Sequence, residues 1–166
     1  MKMRLLMICL LLLTSACGFH LRGSQLTKFN IDNVYIHSSS ATKLATEVKS
    51  QLINSGASIA TSPNAANYVL VLKEERFEKS VLSVNASTGK VEEYQILYTA
   101  KMDASHADGK IITEDDRVSS SHDFTFDENA VLGKFSEEEL LQEDIVRRAA
   151  SQVLRRLQAL ISANKK

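Results

Sequence analysis

Apolar residues recur along this chain with two different periods, and the switches between them mark out its elements. Leu44, Val48 and Leu52 are spaced by four and share one stripe, with Lys43, Glu47 and Lys49 off it, which predicts a helix at about Ala41–Ser55. Ser38-Ser39-Ser40 offers hydroxyl caps at its start and Gly56 a left-handed stop at its end. Before it, Asn33–His37 reads as a short strand with Val34 and Ile36 on one face. Tyr68–Leu72 is continuously apolar and β-prone, as a central strand is, and the strand can run on to Phe77. Over Val91–Ala104 the period becomes two: Tyr94, Ile96, Tyr98, Ala100, Met102 and Ala104 share one face, and Gln95, Thr99, Lys101 and Asp103 the other. One covered and one wet sheet face produce that pattern. Asp108-Gly109 is a hairpin signal joining this strand to Lys110–His122, and Thr88-Gly89 marks a reversal inside the polar loop Ser83–Lys90.

The helical period returns after the loop Asp123–Phe135. Ser136 and Glu139 form a capping box, and Phe135 with Leu140 matches a hydrophobic staple. Val146, Ala150, Val153, Leu157 and Ile161 then track one face, with Glu137–Glu139 at the start and Arg155, Arg156, Lys165 and Lys166 toward the end, complementing the helix dipole. The order β-α-β-β-β-α predicts an α+β two-layer sandwich. Its four-stranded mixed sheet carries both helices on one face, with a parallel crossover followed by an antiparallel meander.

The first residues follow neither period. Lys2 and Arg4 precede the apolar run Leu5–Leu13 and then Thr14-Ser15-Ala16-Cys17, the layout of an export signal, and too short for a bilayer span of roughly 20 residues. Leu13-Thr14-Ser15-Ala16-Cys17 resembles the bacterial lipobox, in which the cysteine carries an N-acyl and an S-diacylglycerol group and starts the mature chain. The expected organisation is a signal peptide at 1–16, a lipidated tether at 17–30 and one domain at 31–166. Losing Lys2 and Arg4 from 20 basic residues leaves 18 against 20 acidic ones, a net charge near −2. So weak a field favours neither nucleic acid nor acidic membranes broadly. Cys9 leaves with the signal and Cys17 is acylated, so no disulfide is expected and the core must carry stability.

Catalytic groups do not converge. His20, His37, His106 and His122 are scattered without zinc-site spacing, and no nucleophile elbow, P-loop or dinucleotide glycine pattern occurs. Glu114, Asp115 and Asp116 sit on a strand, where neighbours point to opposite faces, so an exposed edge is favoured over a metal site. No enzyme and no cofactor are expected. Two loops, Ser83–Lys90 and Asp123–Phe135, can share the sheet end away from Asp108-Gly109, bringing Lys90 and Lys134 beside Val84, Val131 and Leu132. Lysines among apolar side chains can pair with phosphates while the apolar surface meets acyl chains. Two solvated loop lysines would look the same from spacing alone.

Cys17-Gly18-Phe19-His20-Leu21-Arg22-Gly23 resembles the start of the mature LptE family of lipopolysaccharide-assembly lipoproteins. Glu93-Tyr94-Gln95 opening a strand, the Phe-rich end of the next strand, Ala130–Lys134 and Arg148-Ala149-Ala150 continue the likeness in the family's order. The resemblance implies an outer-membrane lipoprotein facing the periplasm, with Gly18 after the lipidated Cys17 fitting that sorting. It implies a domain that plugs the lumen of the LptD β-barrel, helps it assemble and binds lipopolysaccharide. It also makes Lys134 a candidate lipopolysaccharide contact and Lys90 a neighbouring one. A lipoprotein accessory of an ABC-type lipid-trafficking system, similar in size and fold but without the Cys-Gly-Phe-His-Leu-Arg start, is the alternative.

Overall fold

A computed structural model describes residues 29–125 and 131–164, the latter with side chains from residue 137 on. The elements are β1 (Val34–Ser38), α1 (Thr42–Asn54), a short 3-10 turn (Pro63–Ala65), β2 (Tyr68–Val84), β3 (Val91–His106), β4 (Ile111–Thr125) and α2 (Val131–Asn164). The strands form one sheet in the order β1-β2-β3-β4. β1 runs parallel to β2 through α1, and β2, β3 and β4 form an antiparallel meander. This is the α+β sandwich that the periods predict, with both helices on one face.

The core lies between that face and the helices. Leu44, Val48 and Leu52 of α1 are fully buried, as are Ile145, Ala149, Ala150, Val153, Leu154 and Leu157 of α2. From the sheet come Val34, Leu70, Leu72, Ile96, Tyr98, Ala100, Met102 and Val118. A fully buried Leu or Ile contributes about 1.5–3 kcal/mol, so the alternating face of β3 is the main sheet contribution. Phe29 also packs into this core.

Several expectations need correction. The serines do not cap α1. Ser38 Oγ accepts the Ala41 N–H (2.9 Å), and the Lys43 and Leu44 N–H groups instead donate to the Glu75 carboxylate (3.2 and 3.3 Å). Glu75 reaches them because β2 bulges between Lys73 and Arg76, with Glu74 in the left-handed region at φ 56°. A carboxylate held there satisfies leading amides and opposes the positive end of the helix dipole.

β2 runs on to Val84, well beyond Phe77, because β3 pairs with it along almost its whole length. The loop Ser83–Lys90 contracts to a turn over 85–90, and β4 likewise continues to Thr125. α2 starts at Val131, so the backbone at Ser136 is already helical and is not a cap. Leu140 is 65% exposed, and the side chain of Phe135, the other half of the expected staple, lies outside the described residues. Arg156 does more than oppose the dipole: its Nη1 donates to Asp116 (2.6 Å) and to the Arg117 carbonyl (2.8 Å), tying α2 to β4.

Candidate functional site: the hairpin end of the sheet

The β2–β3 turn is built by Asn85. Its Oδ1 accepts the N–H groups of Ser87 and Thr88 (both 3.0 Å), and its Nδ2 donates to Glu92 (2.7 Å). The Asn85 N–H donates to the Lys90 carbonyl (2.7 Å), and Gly89 takes φ 69°, which lets the chain reverse. Lys90 therefore stands exposed on a hydrogen-bonded tip. Val81, Leu82 and Val84, about half exposed, form an apolar shoulder beneath it.

The other strands converge here. Glu93 pairs with Thr125, so β4 ends at the tip end of the sheet. α2 then runs back antiparallel to β4. Glu138 meets Lys79 (2.7 Å), Arg148 meets His122 Nδ1 (2.7 Å) and Arg156 meets Asp116. The first turn of α2, including the backbone of residue 134, thus shares the tip end with Lys90, away from Asp108-Gly109. Lys134 lies in helix and not in the expected loop. Its side chain, those of Val131 and Leu132, and Cys17 lie outside the described residues.

Between tip and helix sits a cluster that composition did not reveal. Tyr94 and Phe124 face each other in register and stack with centroids 5.8 Å apart. Lys79 Nζ lies 4.7 Å from the Tyr94 ring and 5.2 Å from the Phe124 ring while pairing with Glu138. One lysine therefore clamps both strands and α2, through ring quadrupoles and a carboxylate. The alternation of β3 places Tyr94 on the covered face, but the register that brings Lys79 and Phe124 to it is not fixed by sequence.

On the opposite face, two bulges set a bend. Asp115 stands at φ 51° in β4 across from the Glu74 bulge in β2. Lys73 Nζ lies 2.5 Å from Asp103 and 3.1 Å from Asp115. The hydrogen bonds to Asp103 and then Asp115 push the Lys73 pKa up to about 12. The bond from Lys73 in turn holds Asp115 below the usual carboxylate range. These acids make ion pairs, as an exposed strand position favours. Among the described residues no His, Cys, Asp or Glu group is arranged to hold a metal ion.

A cavity of about 430 Å³ lies between the helices, lined by Lys43, Glu47, Glu139, Glu143 and Arg147 among others. It mixes both signs of charge with the hydroxyls of Thr42 and Thr46.

A model of the LptE family, described as lipopolysaccharide-assembly, matches residues 30–157. The chain belongs to the LptE family. Among its relatives is the LPS-assembly lipoprotein LptE of Photorhabdus laumondii, 29% identical over 99% of this chain and 91% of that protein. The same fold appears in solved structures. The uncharacterized lipoprotein B of Nitrosomonas europaea superposes with a TM-score of 0.72 at 24% identity, over 88% of this chain and 94% of that one. The rare lipoprotein B of Shewanella oneidensis gives 0.70 at 23% identity, over 81% and 100%. Tyr94, in the Glu93-Tyr94-Gln95 opening of β3, and Phe124, near the end of β4, are the two rings under Lys79.

Proposed function

We propose that this LptE-family chain is a non-enzymatic outer-membrane lipoprotein, anchored by acyl chains on Cys17, that plugs the LptD β-barrel and assists its assembly. Its domain binds lipopolysaccharide during transport to the outer leaflet, with Lys134 and Lys90 as phosphate contacts. Family membership over residues 30–157 carries this reading. The geometry supports it in two ways. An end that presents Lys90 above the half-exposed Val81, Leu82 and Val84 suits a ligand with phosphates and acyl chains. A sheet face rich in ion pairs suits the polar lumen of a barrel.

Co-purification in detergent tests the partner. Pulling down the lipidated chain should recover a barrel of LptD size. Recovery of inner-membrane transporter subunits alone would overturn the plug reading in favour of the ABC-type accessory.

A further inference from the structure

The open face of the sheet, opposite both helices, carries two kinds of cation. Lys73 and Lys101 are each matched by carboxylates: Lys73 by Asp103 and Asp115, and Lys101 by Glu74 at 2.9 Å. Arg76 and Arg117 are not. Among the described residues neither guanidinium has a carboxylate within ion-pair distance or a side-chain hydrogen bond.

Register brings these two arginines together. Arg76 on β2 lies opposite Thr99, and Arg117 on β4 lies opposite Lys101, so they flank β3 from either side, one rung apart on the same face. Both line one cavity of about 150 Å³. Thr99 also lines it and is the one buried polar residue of the described chain, 8% exposed. Its hydroxyl makes no hydrogen bond to a described residue, and it is not a sealed, unsatisfied group, so it opens to the cavity. Glu74 and Glu78 lie at the rim with Lys101. Three cations against two carboxylates leave a surplus of one positive charge, and Glu74 is already spent on Lys101.

We propose that this cavity is an oxyanion site for a phosphate, free or sugar-borne. Arg76 and Arg117 hold it from two sides, and the Thr99 hydroxyl donates to it from the floor. Guanidinium forks bind oxyanions through paired hydrogen bonds, which an ammonium cannot do. Two forks arriving from opposite strands need acceptor oxygens on opposite sides of the ligand. A tetrahedral phosphate has them, whereas a carboxylate presents its two oxygens along one edge. The small volume and polar lining exclude an acyl chain. The site lies mid-sheet on the face away from the helices, so it stands or falls independently of Lys90 and Lys134.

The test is an amide NMR titration of the mature lipidated chain in detergent micelles, with inorganic phosphate, glucose 6-phosphate and unphosphorylated glucose as probes. Both phosphates should produce saturable shifts at Thr99, Lys101 and Arg117, and glucose none. Tighter binding of the sugar phosphate would identify a sugar-borne ligand, and equal binding would identify the phosphoryl group as the whole determinant. Arg76→Gln and Arg117→Gln should each weaken binding by about tenfold, the measure of a charge-assisted hydrogen bond. Arg155→Gln, at an exposed position on α2, should not change it. Unperturbed shifts elsewhere would show the variants to be folded. Absence of saturable shifts, or shifts that survive in the R76Q/R117Q double variant, would overturn the proposal.

Discussion

Glu75 serves two elements at once. Its carboxylate accepts the Lys43 and Leu44 N–H groups at the start of α1 and the Tyr98 hydroxyl (3.0 Å) from the middle of the core. Tyr98 is fully buried, and burial, then the Glu75 charge and hydrogen bond, push its phenol well above the ordinary range. The phenol therefore remains a donor at every working pH and needs this acceptor. Glu75→Ala strands a buried hydroxyl and uncaps a helix, which should cost about 2–3 kcal/mol. Tyr98→Phe removes the donor but leaves the cap, and should cost about 1 kcal/mol. Urea unfolding of both variants checks the order; equal losses would mean that the cap contributes nothing. Lys73 gives a second residue-scale prediction. Its folded pKa, about 12 against 10.5, lies above the unfolded value, so its stabilisation is complete below pH 10.5 and lost as pH climbs through 12. Asp115 lies below 3.8, so its share is complete above that pH and lost on further acidification. Lys73→Met should therefore be less stable than the parent at neutral pH and converge with it at both extremes. Urea midpoints measured across pH would show this convergence, and parallel curves would refute it.

At the scale of elements, Lys79 is the clamp between the long hairpin and α2. Because its side chain is 39% exposed and its partner Glu138 29%, the ion pair alone is worth little, and the two rings beneath it add a similar share. Lys79→Ala should cost about 1 kcal/mol globally, yet loosen α2 locally. Hydrogen exchange should quicken at the amides around Glu138–Leu141 and stay unchanged near Leu154. Acceleration spread evenly over the chain would assign Lys79 a general role instead. Why this clamp was invisible beforehand is instructive. The helical stripes Leu44-Val48-Leu52 and Val146-Ala150-Val153-Leu157-Ile161 and the alternation of β3 were legible because each buries a periodic face. The second half of β2 has no such face. Past Leu72 its outer edge leaves β1, and Val81, Leu82 and Val84 are half exposed, so backbone pairing to β3 and the inward packing of Phe77 and Lys79 hold the strand there without a periodic buried face. Long-range partners were hidden for the same reason. Glu75 caps a helix far back in the chain, and Arg76 and Arg117 line one cavity from either side of an intervening strand, neither of which spacing can reveal. Lys90 is legible as a turn residue because Gly89 announces the reversal, whereas Lys134 reads as loop because Ser136 and Glu139 imitate a helix start.

Across the whole molecule, the contact between Lys79 and Glu138 gives a common origin for comparing the two candidate lysines. From Lys79 the hairpin extends to its tip over about 20 Å at roughly 3.3 Å per residue. From Glu138 the helix reaches residue 134 in about 6 Å at 1.5 Å per residue. The two lysines therefore share an end but stand at different heights, the hairpin reaching further. Residue 134 sits in the first turn of α2, where leading N–H groups without helical partners and the positive end of the dipole favour an anion. Lys90 stands on the β2–β3 turn and not at a helix start. Lys134→Asp should accordingly weaken lipopolysaccharide binding more than Lys90→Asp does, by about tenfold for the former. Sites this far apart act on a large ligand independently, so the double variant should lose the product of the two effects within about 0.5 kcal/mol. Binding of each variant to detergent-dispersed lipopolysaccharide closes the cycle. A double variant no weaker than Lys134→Asp alone would mean that only the helix start meets the ligand, and Lys90 would then leave the site. A strong positive coupling would mean instead that both lysines hold a single phosphate, which would require the hairpin tip to fold down over the start of α2.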